Sequence, residues 1–240
     1  VGAIAKAMAE QRAKTQDIAA HVTRIMALAD SNSENSHSTL EEARRLDFLA
    51  INLEEIGTVF RLGADGDRAR EIHQRMPSVV QKAAKAIAEV LEAAVARGDL
   101  SVAALFDTNY QPIAGTNPPK FHTQYDAIAD RLLPAIQEPV LTEHPEVAYA
   151  IACDSGGYVP THNRRFCQPL TGDPAKDTVG NRTKRVFSDP VGKRCGSHTL
   201  PFLLQTYRRD TGEIMHDISA PVMVQGRHWG GFRIGYRTEA

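Results

Sequence analysis

The sequence predicts an α+β protein, in which a long N-terminal coiled-coil helix precedes an antiparallel sheet with covering helices. Three observations support this fold class. Residues 4–60 follow a heptad repeat, residues 77–141 are dominated by amphipathic helical segments, and residues 202–236 contain strand-forming runs joined by tight turns. Tight turns can join only antiparallel strands, and helices followed by such a meander are typical of α+β domains.

The composition is that of an ordinary globular protein. The 240 residues carry a formal net charge of -1 with a pI near 6.8, which gives no electrostatic footprint for nucleic acid. Cys153, Cys167 and Cys195 form no metal or haem-attachment spacing, and their odd number favours a reducing compartment over a disulfide framework. No apolar run approaches the roughly 20 residues that span a bilayer. Because the chain begins at Val1 without a signal peptide, we expect it to be part of a longer protein.

The N-terminal heptad seam predicts helices that wind around partner helices. One helix over residues 3–61 would be about 90 Å long at 1.5 Å per residue, and it could not bury its own apolar stripe. The Ser- and Asn-rich stretch 31–39 favours a break and a helical hairpin, whereas the heptad phase, which continues through it to Phe60, favours one helix paired with a second chain. The seam begins with Ile4, Met8, Gln11, Thr15, Ile18, Val22, Ile25 and Ala29.

Residues 3–62 resemble the last part of the cytoplasmic signalling module of methyl-accepting chemotaxis proteins. The resemblance is carried by Glu10-Gln11, Asn32, Glu41-Glu42 and Phe60-Arg61-Leu62. It implies a homodimer through the coiled coil over residues 1–62, with a histidine kinase and a coupling protein as partners in the full receptor. It also makes Glu10 a candidate for methylation, although Lys6 and Lys14 stand where small residues are preferred, and Glu10 is equally read as a solvated side chain beside a seam glutamine.

The helical part of the second region begins after a short linker. Two glycines and alternating charges in "GADGDRAR" predict a linker, which we extend over residues 63–76, with the domain covering 77–240. We expect a helix from Ser78, after Pro77, to Gly98, a short strand with a turn over 105–113, and a helix over 124–141 kinked at Pro134.

The remaining elements are predicted to be strands. "VAYAIACD" leads through a glycine pair into a strand over 157–161, and "FLLQTYRR", "EIMHDISAPVMV" and "HWGGFRIGY" form a meander with turns at Asp210-Thr211-Gly212 and Gln225-Gly226. Between them, residues 164–200 form a long loop with little regular pattern. A loop of this length is usually functional or disordered, so we expect it to cap a pocket.

This second region resembles Cache and PAS-like sensor domains. The resemblance rests on "CDSGGYVPTHNRRF" and "GRHWGGFRIGY", and residues 75–238 also look like a C-terminal extension of some bacterial chemoreceptors. It implies a cytoplasmic sensor domain that binds a small ligand or cofactor and modulates a helical bundle controlling a histidine kinase. Whether the full receptor is anchored in a membrane stays open. A ligand-free dimerisation module and a haem- or metal-based redox or gas sensor are the alternatives.

Two groups of residues are candidates for ligand binding. Arginine binds carboxylate or phosphate through two parallel hydrogen bonds, and the basic segments border the expected pocket. Alternatively, these basic residues pair with aspartates to hold the loop, and the tryptophan fills a core or a dimer interface. The aspartates of this alternative are Asp173, Asp177, Asp189 and Asp217. The rim candidates are His162, Asn163, Arg164 and Arg165, with Arg182, Lys184 and Arg185 nearby; the sheet-face candidates are Tyr207, Asp217, Trp229 and Arg233.

Five histidines are candidates for a metal ion or a non-covalent haem. Three of them could ligate zinc if they converged, but none forms a recognised local spacing, and strand histidines also serve as partners of backbone groups. They are His122, His162, His198, His216 and His228. Cys195 and His198 in "RCGSH" show no third group to orient a nucleophile, so no enzymatic activity is expected.

Overall fold

The computed structural model describes residues 2–57, 64–208 and 214–238, and it falls into two compact units, Val1–Ala50 and Ile51–Ala240. The expected α+β class is confirmed, since a long N-terminal helix precedes antiparallel sheets. The turn at Asp210-Thr211-Gly212 and the tripeptide Phe60-Arg61-Leu62 lie outside the described residues.

The first helix, α1, runs unbroken from Gly2 to Gly57. The hairpin alternative for residues 31–39 is therefore wrong. Within this stretch, the Thr39 hydroxyl donates to the Asn35 carbonyl one turn earlier at 2.8 Å, a bond that the helix accommodates. Among the side chains of α1 that the structure describes, the large apolar ones are exposed, and they include Ile4, Met8, Ile18, Val22, Ile25 and Leu46.

Helix α2 extends from Ala64 to Ala96 and corrects two predictions. Residues 64–76 of the expected linker are helical, and the helix does not start at Ser78 but contains Pro77 in its interior. The reason is one continuous buried stripe, to which Ile72 and Met76 contribute as fully as the residues after the proline. Burying this stripe offsets the one backbone hydrogen bond that Pro77 cannot donate.

Short elements connect α2 to the main sheet. Helix α3 (Val102–Leu105) is capped by the Ser101 hydroxyl, so that only the end of the strand expected over 105–113 forms. That strand, β1 (Gln111–Ile113), pairs with β2 (Lys120–His122). The predicted kink at Pro134 is confirmed, because it separates α4 (Asp126–Leu132) from α5 (Pro134–Glu143).

The main sheet has four antiparallel strands in the order β3-β8-β7-β6. The expected meander of the last three strands is confirmed. The strands are β3 (Val147–Asp154), β6 (Leu203–Arg208), β7 (Ile214–Val224) and β8 (Arg227–Tyr236).

The segment after β3 differs from its prediction. The strand expected over 157–161 is reduced to β4 (Tyr158–Val159), which pairs with β5 (Arg185–Val186) and stays outside the main sheet. The long loop contains the 3-10 turn Arg164–Phe166 and two short helices, α6 (Pro174–Gly180) and α7 (Pro190–Ser197), which Asp173 and Asp189 cap.

Both faces of the sheet are covered. Helix α2 packs on one face and forms the larger core with Ile218, Phe232 and Ile234. The other face carries Tyr149, Ile151 and Cys153, which pack under α7 and the loop. The loop therefore closes directly onto the sheet.

Candidate functional site

The sheet face under α7 is filled by a buried ion pair. Arg233 Nε donates to Asp217 Oδ2 at 3.0 Å, and both residues lie almost fully inside the protein. The Tyr149 hydroxyl bonds the same carboxylate and accepts from Arg233 Nη2 at 3.1 Å. Burial opposes the charge of Arg233, but Asp217 outweighs this and raises its pKa above the usual range. Asp217 and Arg233 thus satisfy each other instead of lining the wet pocket expected here.

Cysteine completes this cluster. The Cys195 thiol donates to Asp217 Oδ1 at 3.0 Å and accepts from Gln205 Nε2 at 3.3 Å. Burial raises the pKa of Cys195 well above its usual value, so the group is a neutral thiol. Helix α7 can approach this closely because Gly231 has no side chain, and a Cβ there would lie 2.1 Å from the Cys195 carbonyl oxygen.

Trp229 does not join Arg233 on this face, although strict alternation placed them together. The register of β7 and β8 shifts between Val222 and Met223, and the irregularity turns the indole into the α2-side core. There its Nε1 donates to the Leu105 carbonyl at 3.0 Å. Trp229 is therefore a core residue, as the alternative interpretation held. Tyr207 lies half-buried on β6, opposite Met215 of β7.

Two of the rim candidates hold the outer edge of β3. Asn163 Oδ1 accepts from the Ala150 backbone N–H at 2.9 Å, and Arg165 Nη2 donates to the Ala148 carbonyl and, at 3.4 Å, to that of Val147. The residue that sequence reasoning missed is Gln137 of α5, whose Oε1 accepts from Ala152 N at 3.1 Å. These side chains replace a neighbouring strand.

The other two rim candidates, His162 and Arg164, border a cavity of about 480 Å³. It lies where the Pro134 kink separates α4 from α5, and the segments 161–167 and 183–184 form its other wall. The loop thus does cap a cavity, but beside the helix kink and not on the sheet face. The full lining is Asp130, Arg131, Pro134, Ala135, Thr161, His162, Arg164, Cys167, Thr183 and Lys184.

His162 is buried but keeps one ring nitrogen available to the cavity. Its Nδ1 accepts from the Asn163 backbone N–H at 2.9 Å, which fixes the proton on Nε2. Burial, and then the positive charge of Arg182, holds the pKa of His162 well below its usual range, so that the ring is neutral. Nε2 makes no side-chain hydrogen bond with any of the described residues, and the ring forms part of the cavity lining.

The basic segment 182–185 divides between pairing and packing. Lys184 Nζ lies 2.8 Å from Asp130 and 3.4 Å from Asp126. Arg185 lies over the Phe187 ring and donates to the Thr178 carbonyl at 3.2 Å, and Arg182 stacks on the same ring. Lys184 thus holds the loop against helix α4 through Asp126 and Asp130, which are not the aspartates that the alternative named.

The five candidate histidines do not converge. His122 lies 3.4 Å from Asp126, His216 contacts Thr206 and Thr238, and His198 contacts Ser219 at 2.9 Å. Over the described residues, no three His, Cys, Asp or Glu side chains are grouped so as to hold a metal ion. His228 lies near His198. Burial, and then the charge of His228, lowers the pKa of His198 to about 4.

A second buried polar cluster had no sequence signal. Asp154 Oδ2 accepts from the hydroxyls of Tyr110 and Tyr125, each at 2.8 Å, and Oδ1 accepts from the backbone N–H groups of Gly156 and Tyr158 at 2.9 Å. Burial raises the pKa of Asp154. These four hydrogen bonds close the turn after β3.

Glu10 lies exposed on α1, as either interpretation of it requires.

The comparisons with known proteins give no match. No family model matches the chain, and no curated protein or solved structure matches it. Among the described residues, no helix is both long and apolar enough to cross a membrane.

Proposed function

We propose that this chain is a signalling part of a methyl-accepting chemotaxis protein, with a Cache/PAS-like domain that senses a small ligand in the cytoplasm. The observation that carries the proposal is α1, an unbroken 56-residue helix with an exposed heptad seam. Three of the four motifs that resemble the chemoreceptor signalling module, Glu10-Gln11, Asn32 and Glu41-Glu42, lie on this helix. An antiparallel sheet with covering helices and an open cavity follows in the same chain.

The exposed seam supports a homodimer. Ile18, Val22 and Ile25 are between 48% and 64% exposed, and pairing with a second copy would bury them. The seam also contains Gln11, Thr15, Asn32, Ser36 and Thr39, which weaken its packing. A weakened seam suits a signalling bundle, because a small free-energy difference can then change its packing. The histidine kinase and the coupling protein are the partners that the resemblance implies.

Ligand control requires that the ligand bind one packing state of the bundle more tightly than the other. The cavity beside Pro134 is the candidate for such a ligand, because its volume lies in the range of small-molecule sites. The domain acts by binding and not by catalysis in this proposal.

Crosslinking across the seam tests the proposal. The variant Ile18→Cys places a thiol on the seam, and Ala20→Cys places one on the outer face of the same helix. We expect a thiol-specific crosslinker to join two copies of Ile18→Cys with a much higher yield than two copies of Ala20→Cys. The yield should change when a ligand raises the melting temperature of the domain. Equal yields for both variants would contradict the dimer, and a yield unchanged by every ligand that binds would contradict the coupling.

A ligand-free dimerisation module is the second candidate, favoured by the buried pairing of Arg233 with Asp217 on the sheet face where a pocket was expected. Thermal-shift screening with carboxylates, nucleotides, metal ions and haem separates the two. A ligand-free module predicts no shift with any of them, and a haem sensor predicts a Soret band.

A further inference from the structure

The cavity beside the Pro134 kink presents two hydrogen-bond donors that the protein itself does not use. The first is Nε2–H of His162, a side chain that is only 3% exposed. Its Nδ1 is occupied by the Asn163 N–H, so the tautomer and the ring orientation are fixed. Because the ring lines the cavity and Nε2–H makes no hydrogen bond to a described residue, this N–H can donate to an acceptor that enters the cavity.

The second donor is the guanidinium of Arg164. The other two cations of the cavity are already paired, since Arg131 lies 3.1 Å from Asp99 and Lys184 lies 2.8 Å from Asp130. Arg164 is held through its backbone, which donates to Glu138 Oε1 at 2.9 Å. Its side chain makes no ion pair or hydrogen bond with any residue the structure describes, so the charge is available to an anion.

The side of the cavity formed at the kink between α4 and α5 contributes two apolar residues. Pro134 and Ala135 begin α5, and they lie beside Asp130 and Arg131 at the end of α4. Because Pro134 has no N–H, it cannot continue the helical hydrogen bonds, and the resulting kink leaves the space. Two donors on one wall and a proline and an alanine on the other suit an anion with a short hydrocarbon part.

We propose that this cavity binds a small aliphatic carboxylate, whose two oxygens accept from His162 Nε2–H and from the Arg164 guanidinium. The hydrocarbon part lies against Pro134 and Ala135. Planar carboxylate matches the fork of arginine, and a charge-assisted hydrogen bond is stronger than a neutral one. The inference rests on the proposed sensor function and names the class of ligand that the sensor would take.

Cys167 offers a reporter for this cavity alone. Its side chain is half-buried and lines the cavity, whereas Cys153 and Cys195 are 1% and 0% exposed. Iodoacetamide should therefore modify Cys167 in the folded chain, and mass spectrometry of its peptide measures the rate. We expect propionate and butyrate to slow this modification and to raise the melting temperature, and the uncharged propionamide and butyramide to do neither.

Two variants that each remove one positive charge serve as the test and its control. Arg164→Gln removes the free guanidinium, and Arg44→Gln changes an exposed arginine of α1 in the same way. We expect Arg164→Gln to raise the propionate concentration for half-protection at least tenfold and Arg44→Gln to leave it unchanged. In wild type, propionate should shift the Nε2 resonance of His162 in 15N-histidine-labelled protein, a measurement that needs no substitution at this buried site.

The outcomes separate this inference from the proposed function. Equal protection by propionamide, or equal affinity of Arg164→Gln, would overturn the carboxylate site. A nucleotide or amine that raises the melting temperature without protecting Cys167 would overturn the site and leave the sensor function standing. No shift with any compound would overturn both.

Discussion

The side chain of Asn163 accepts a hydrogen bond from the backbone N–H of Ala150 at 2.9 Å and so covers the outer edge of β3. Gln137 does the same for Ala152, and Arg165 bonds the carbonyls before them. An uncovered edge strand exposes a row of backbone groups that can pair with another chain. Residues that the sequence suggested for a ligand thus act on the stability of the sheet.

Removing one of these amides should destabilise the domain. Asn163→Ala leaves the Ala150 N–H without its buried partner, and we expect a loss of about 1–3 kcal/mol in the free energy of unfolding. Urea denaturation measures it. Asn109→Ala, at an exposed asparagine, is the control and should change stability by less than about 0.5 kcal/mol. Equal losses in the two variants would contradict the edge-covering role.

The buried pair Arg233–Asp217 should behave as a unit. Arg233→Met leaves the carboxylate of Asp217 buried without its cation, and we expect a loss of about 3–5 kcal/mol. Asp217→Leu alone should cost a similar amount. The double variant should lose clearly less than the two single losses added together, because no unpaired charge remains. Additive losses in a double-mutant cycle would contradict this account.

Acid should weaken the fold through its buried histidines. Burial, together with the neighbouring His73, lowers the pKa of His216 to about 4. Burial, together with the neighbouring His228, lowers the pKa of His198 to about 4. The unfolded chain, with histidine pKa values near 6.5, then binds more protons between about pH 4 and 6.5. Stability is full above this window and falls as the pH drops through it, by up to about 1.4 kcal/mol per pH unit for each histidine.

The variant His216→Gln isolates this effect. Asp154 acts in the opposite sense, because burial raises its pKa, so the total pH dependence is a sum of several groups. When the pH dependence of the free energy of unfolding is compared between wild type and His216→Gln, the contributions of all groups common to both proteins cancel. We expect urea titrations from pH 7 to 4.5 to give a shallower decline for the variant. An identical decline would show that His216 does not take up a proton on unfolding.

The close approach of α7 to the sheet should depend on Gly231. A methyl group there would lie 2.1 Å from the Cys195 carbonyl oxygen, which is backbone and cannot move away as a side chain would. We expect Gly231→Ala to cost about 1–3 kcal/mol, as overpacked cores do. Gly180→Ala, whose methyl group would meet Gln168 at 3.7 Å, is the control in the same domain. Calorimetry should show a lower melting temperature for Gly231→Ala alone.

Elements of the fold could be predicted where they depend on residues close in sequence, and were missed where they depend on residues far apart in the chain. The helical nature of α1, the Pro134 kink and the β6-β7-β8 meander were foreseen, because each depends on residues close in sequence. The start of α2 was missed, because the burial of Ile72 and Met76 against the sheet outweighs the local signals for a linker and a proline-initiated helix.

The candidate site was predictable only in part. His162 and Arg164 do border a cavity, as their place at the end of a strand suggested. Their neighbours Asn163 and Arg165 point instead to the backbone of β3, a distinction that depends on which strand edge lies beside them. Trp229 left its expected face because one irregularity in β8 interrupts the alternation, and nothing in the local sequence specifies that irregularity.

By itself, the sequence determined the α+β class of the fold and the seam of the long helix, because heptad spacing, turn residues and alternation act over a few residues. The tertiary structure decided which polar groups pair with other groups of the protein and which can still bond a ligand. Asp217 and Arg233 neutralise each other because β7 and β8 bring them together, whereas His162 Nε2 and Arg164 keep their donors because the Pro134 kink leaves a space beside them. Pairing of this kind is settled by distances between segments far apart in the chain.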